Sequence, residues 1–162
     1  MKTLFLLRHA KSSWNDPTLE DFDRPLNGRG RVAAKSIGGF IRKQNEKVDL
    51  VLSSPAVRAR ETIEIVMKAV GVPLELRYDQ RIYEAGPLRL LEVISQIEKN
   101  KSRVLLVGHN PGMEELLQVL TGRTEHMATG ALAKISLDAR KWSESLAEKG
   151  SLEWLVKPKE LA

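Results

Sequence analysis

The chain has 162 residues, 42% of them hydrophobic and 29% charged, which suits one globular domain over 1–162 and is too short for two. It has no cysteine, which excludes a disulfide scaffold, a thiol nucleophile and Cys-ligated zinc or iron–sulfur. The formal net charge of +5 is a mild basic excess, and the few aromatics do not alternate with the basic residues as a base-stacking surface requires. The excess reads first as an ordinary solvated surface, and as a functional hint it points to phosphate and not to a nucleic-acid partner.

Lys2–Leu7 reads as a buried strand. Its apolar run, Leu4–Leu7, is shorter than the roughly 7–15 residues of a signal peptide. No run approaches the ~18 residues of a membrane span. The expectation is a cytoplasmic protein without a membrane partner. Residues 11–26, with Pro17 and Pro25, read as a loop. Asn27 and Gly28 open a helix to about Gln44, with Ala33, Ile37, Phe40 and Ile41 at helical spacing.

Asp49–Ser53 is a second buried strand. Ser54 reads as an N-cap and Pro55 as the first turn of a helix that carries Ile63, Val66, Met67 and Val70 and ends at Gly71. Leu74–Tyr78 reads as a short strand and Leu88–Lys99 as a helix. Arg103–Val107 is a third strongly apolar strand, stopped by Gly108. Pro111 and Gly112 open a helix through Leu120. Ala131–Leu137 and Leu152–Val156 read as late strands, paired around Asp138–Gly150.

Apolar strands alternating with amphipathic helices predict an α/β three-layer sandwich, with a mostly parallel sheet of about six strands and helices on both faces. Ligands in such sheets bind at the carboxyl ends of the strands. Three strands end in suggestive residues: Arg8-His9, Ser53-Ser54-Pro55 with Arg58 just beyond, and Gly108-His109-Asn110. Each residue alone has an ordinary reading. Arg8 suits a strand-end surface, His9 a satisfied core, Arg58 a helix surface and His109 the neighbourhood of a cap. Together on one rim, two guanidiniums and two imidazoles without an adjacent carboxylate are costly unless an anion joins them. Arg presents a planar fork to phosphate oxygens. His126 lies in a polar loop and reads as a surface or supporting residue.

These stretches resemble a known family. Leu6-Leu7-Arg8-His9-Ala10 is similar to the Arg-His signature of the histidine phosphatase superfamily, the clan of phosphoglycerate mutases and acid phosphatases. Ser53–Thr62 (SSPAVRARET) resembles its second motif and Gly108–Gly112 (GHNPG) its late histidine motif. The short chain and Arg24–Gly30 (RPLNGRG) resemble the SixA-type phosphohistidine phosphatase branch. The likeness spans about Lys2 to Ser136. It departs at Ala10, where the superfamily most often has Gly, the smallest change available.

The resemblance implies that His9 is the nucleophile and becomes a transient phosphohistidine. It implies that Arg8, Arg58 and His109 bind phosphate and match its charge in the transition state. No metal or other cofactor is implied. Larger members carry a Glu or Asp general acid after the third strand region. Here Glu84, in Arg81–Gly86, is the candidate, with a solvated loop carboxylate as the alternative reading. Asp16, Asp21 and Asp23 sit in the loop positioned to cover the site and read first as ordinary loop polarity, with a loop Asp as the alternative acid to Glu84. The expected activity is a metal-independent phosphatase whose partner is a phosphorylated protein, through phosphohistidine, or a small phosphorylated metabolite such as a sugar phosphate. A non-catalytic phosphate-binding module needs no nucleophile, and a metallohydrolase lacks the ligands. Oligomeric state is not legible.

Overall fold

The structure, a computed structural model, describes residues 1–161. Six strands form one sheet: β1 (Lys2–Arg8), β2 (Leu50–Ser53), β3 (Leu76–Tyr78), β4 (Arg103–Gly108), β5 (Leu132–Leu137) and β6 (Gly150–Val156). Their spatial order is β3-β2-β4-β1-β5-β6. β1, β2, β3 and β4 pair in parallel, whereas β5 and β6 join antiparallel. The expected α/β sheet is thus observed, mostly parallel with an antiparallel edge.

The central strands β1, β2 and β4 are largely apolar because both of their faces are covered. Alternate side chains go to opposite cores. Leu4, Leu6, Leu52 and Leu106 pack with α3 (Pro87–Ser95) and α4 (Gly112–Thr121). Phe5, Leu7, Val51 and Leu105 pack with α1 (Gly28–Lys43) and α2 (Val57–Val70). Asn27 caps α1 by accepting from the Gly30 amide at 2.8 Å. Gly71, at φ +82°, ends α2 in the left-handed conformation that glycine adopts without steric cost. Among the described residues no helix is long and apolar enough to cross a membrane.

Four elements differ from the sequence reading, β6 among them, since it begins at Gly150 and not at Leu152. β3 is shorter than 74–78, beginning at Leu76. α3 ends at Ser95 and not near Lys99, because Gln96 and Ile97 bond three residues back, to Val93 and Ile94, which tightens and closes the helix. Ser54 is not the N-cap of α2. The helix starts at Val57 after Ala56, and Ser54 belongs to the turn before it.

Register aligns the carboxyl ends of three strands. Arg8 pairs with Gly108 and Ser53 with Val107. The next residues continue the ladder, with the His9 amide bonding Gly108 O and the Ser54 amide bonding Val107 O. His9, Ser54 and His109 are therefore set on one rim by backbone pairing alone. Only three residues separate β2 from α2, and three separate β4 from α4. The long connection on that side is 9–27, which contains a single 3-10 turn at Asp21–Asp23.

Candidate active site

The four residues singled out at the strand ends come together. His9 is 7% exposed and His109 8%, with ring centroids 5.1 Å apart. His9 Nδ1 lies 2.7 Å from the Ala10 carbonyl oxygen. A carbonyl only accepts, so Nδ1 carries the proton and Nε2 holds the lone pair. Arg58 Nε donates towards that lone pair from 3.4 Å. Burial is the main cause that pushes the His9 pKa down to about 4. The Ala10 carbonyl opposes it, and the charges of Arg58, Arg8 and Arg24 add to it. The ring is neutral at neutral pH, with a free in-plane nitrogen that can attack an electrophile.

His109 is held by Ser54. Its Nε2 lies 2.7 Å from Ser54 Oγ, which also accepts from the Ala56 amide at 3.2 Å. Assigning the Ser54 hydroxyl proton to Nε2 places the ring proton of His109 on Nδ1 as a donor. That nitrogen is buried and has no partner among the described residues. Burial first, then His9 and Arg58, push the His109 pKa down to about 3. Ser54 thus orients a pocket histidine in place of capping a helix.

Three guanidiniums surround the imidazoles. Arg8 donates to Met127 O at 3.0 Å, and its Nε is buried and unpartnered. Burial lowers its pKa, with Glu114 opposing and Arg58 adding to the shift. Arg58 donates to the carbonyl of Asp21 at 2.7 Å and to its carboxylate at 3.0 Å. Thr62 Oγ bonds Arg58 O at 2.6 Å and accepts from the Ala10 amide at 3.0 Å, tying α2 to the end of β1. Arg24, 7% exposed, donates to Ser12 Oγ at 3.1 Å and stacks on the Trp14 ring at 3.3 Å. Its Nε and one terminal nitrogen are buried without a hydrogen bond, Nε lying 3.5 Å from the Asp21 carboxylate.

Sequence reasoning missed several of these contacts. Asp21 supplies the carboxylate that the strand ends lack in sequence, so reading it as plain loop polarity is corrected. The carboxylate oxygen that takes Arg58 also accepts from Tyr83 Oη at 2.6 Å. Burial raises its carboxyl, but Tyr83, Arg58 and Arg24 outweigh that and hold it below the ordinary value. Tyr83 packs its ring edge-on to His109 and Phe22. Arg24 was legible only as part of RPLNGRG. Asp21 and Tyr83 carry no local signal, since loop geometry brings them in. Glu84 follows Tyr83 in the turn before α3. It is exposed and sits at φ +54°. His126 is also exposed, with Nδ1 2.8 Å from Glu114. Glu114 accepts in turn from Asn110 and from the Met127 amide, so His126 touches the residue that braces the Arg8 side of the pocket.

The chain is similar to known proteins over most of its length. An uncharacterized chloroplastic protein of Arabidopsis thaliana is 31% identical, the match covering 97% of this chain and 78% of that one. The phosphohistidine phosphatase SixA of Escherichia coli K12 is 25% identical over 96% of this chain and 93% of its own. The crystal structure of a protein assigned as phosphohistidine phosphatase SixA, from Agrobacterium tumefaciens, superimposes with a TM-score of 0.84. It is 29% identical, the match covering 97% of this chain and 98% of that one. The family model of the histidine phosphatase superfamily (branch 1) matches residues 4–88. That span runs from β1 and its Arg8-His9 terminus through Arg58 to Glu84, and the chain belongs to the histidine phosphatase superfamily.

Proposed function

We propose that this phosphatase removes the phosphoryl group from phosphohistidine on a protein, with His9 as the nucleophile. The observation that carries the reading is the set of buried nitrogens around His9 that have no hydrogen bond from the protein: Arg8 Nε, two nitrogens of Arg24 and His109 Nδ1. Buried donors are ordinarily paired, and a phosphoryl group offers the acceptor oxygens that these donors lack. His9 Nε2 forms a bond to phosphorus as the bond to the substrate imidazole breaks. Glu84 gives a proton to the leaving nitrogen. Water then attacks the phosphorylated His9, Glu84 takes back a proton, and Nε2 leaves with its lone pair restored. Arg8, Arg58 and His109 hold the phosphoryl oxygens and balance their charge through both steps.

A protein substrate is supported by the short connections after β2 and β4, which leave 9–27 as the longest segment at the rim, beside 79–86 and 122–131. The names of the Escherichia coli and Agrobacterium relatives point the same way. The test is acid–base quenching during turnover of a labelled phosphohistidine protein, beside a panel of small phosphate esters. The expected result is a base-stable, acid-labile label on His9, absent in His9→Ala. A label on another residue, or full activity in His9→Ala, sinks the mechanism. Turnover of the small esters alone moves the substrate to a metabolite.

A further inference from the structure

Beside the phosphate pocket runs an open groove of about 350 Å³ that the chemistry above does not use. Lys11, Arg29, Lys157 and Lys159 line it, with Ala33 and Pro158 as apolar lining. These cations come from three separate parts of the fold: the segment after β1, the first turn of α1, and the residues that follow β6. None of the four makes an ion pair among the described residues. No carboxylate lines the groove. Glu160, close by in the chain, accepts from the Lys157 backbone amide at 3.0 Å.

The groove adjoins the nucleophile. Lys11 is two residues beyond His9. The wall formed by His126, Ala128 and Thr129 belongs to a turn whose Met127 carbonyl receives Arg8 and whose Gly130 amide bonds the carbonyls of Arg8 and His9. Four like charges in one exposed groove repel one another and raise the local potential for an anion. Three of them are lysines, which act as mobile point charges and lack the planar fork that grips one phosphate in two places. Lys11, Arg29 and Lys159 are exposed, and no buried donor converges on a single point. That arrangement suits several carboxylates spread over a surface better than one compact anion.

We propose that this groove docks an acidic segment of the protein substrate that flanks its phosphorylated histidine. This rests on the phosphohistidine reading above and names the charge character of its substrate. The groove acts on capture and adds no chemical step. Its contribution falls with salt, since screening at 0.15 M is about 8 Å.

The test uses two synthetic peptides with a central phosphohistidine, prepared with phosphoramidate, one flanked by glutamates and one by serines. At low salt the acidic peptide should have a kcat/KM about tenfold higher, as several weak exposed pairs act together. The ratio should fall to about twofold in 0.5 M salt and in Arg29→Glu/Lys159→Glu, with the neutralised Arg29→Gln/Lys159→Gln between. Hydrolysis of p-nitrophenyl phosphate should be unchanged in both variants, which also reports that they are folded. Equal efficiency on the two peptides, or a ratio the variants leave intact, overturns the groove alone. Turnover of p-nitrophenyl phosphate without either peptide overturns the phosphohistidine reading and the groove's occupant with it. A loss confined to a small bisphosphate ester replaces the acidic segment with a second phosphoryl group.

Discussion

Acidification should expose how deeply the two imidazoles are held neutral. Both have folded-state pKa values far below the ordinary 6.5, about 4 for His9 and about 3 for His109, chiefly from burial. A histidine of this kind binds its proton in the unfolded chain first. Its contribution to stability is therefore present above pH 6.5 and lost as pH falls towards the folded value. Between pH 6.5 and 5 the His9 shift alone amounts to about 2 kcal/mol, at 1.36 kcal/mol per unit. The conversion needs no discount for exposure, because the side chain is nearly inaccessible and faces Arg58, Arg8 and Arg24.

The assay is urea unfolding of the wild type and His9→Asn at pH 7.5 and pH 5.0, in buffers free of phosphate. The wild type should lose about 2 kcal/mol more than the variant on going to pH 5.0. Equal losses would show that His9 titrates as a solvated residue. An NMR midpoint near 6.5 for His9 would refute the same reasoning directly. The kinetic counterpart is a nucleophile that stays deprotonated through pH 5, so that kcat/KM shows no acid limb at 6.5 attributable to His9.

The other predictions test single contacts. Arg58→Ala should lower kcat by about 10²–10³, and Arg58→Lys should recover only part of that, because a point charge cannot reach His9 Nε2 and both Asp21 oxygens at once. Steady-state kinetics with Lys equal to wild type would remove the fork from the argument. Glu84→Gln should slow alkyl phosphates by about 10²–10⁴ and p-nitrophenyl phosphate and phosphohistidine much less, since a general acid matters most for a basic leaving group. A uniform loss on all three would make Glu84 a binding residue, and no loss would leave it a solvated carboxylate. Gly112→Ala should destabilise the protein by about 2 kcal/mol in urea unfolding, because the added Cβ lies 2.1 Å from the Ala85 carbonyl oxygen and backbone cannot yield cheaply.

The parts of this site that were legible in the sequence are those that strand register controls. Arg8, His9, Ser54 and His109 lie at or just past the ends of apolar runs, and parallel pairing leaves them no other place to meet. Arg58 is fixed by its distance from Ser53 through a short turn. Asp21, Arg24 and Tyr83 come from the connections 9–27 and 79–86, whose paths have no hydrophobic period to reveal them. Ser54 failed as a cap for a related reason. Ser-Pro before an apolar helix is a sound local signal, but the hydroxyl finds the buried imidazole of His109, a partner local rules do not contain. α3 stops early because local bonds three residues back close its last turn, and β3 starts at Leu76 because its pairing with β2 starts there.

The charge of the pocket follows from these neutral imidazoles. With both histidines uncharged, the three guanidiniums outnumber the carboxylates near them, Asp21 in contact and Glu114 behind Arg8, and the positive excess suits a phosphoryl dianion. Had the histidines been protonated, two further positive charges would stand within about 5 Å of each other in a buried site, which burial forbids. Neutrality is thus what lets one imidazole keep a lone pair while its neighbour offers a proton. Asp21 fits the same account. Its carboxylate is 47% exposed on a loop, bonded to Arg58 and Tyr83, so it offsets part of the cationic charge from the solvent side. Arg8 Nε and one terminal nitrogen of Arg24 are buried without a partner, and Arg24 Nε meets the Asp21 carboxylate only at 3.5 Å. The positive excess therefore sits beside the His9 and His109 rings and not at the mouth, where an arriving phosphoryl group meets it together with the nucleophile.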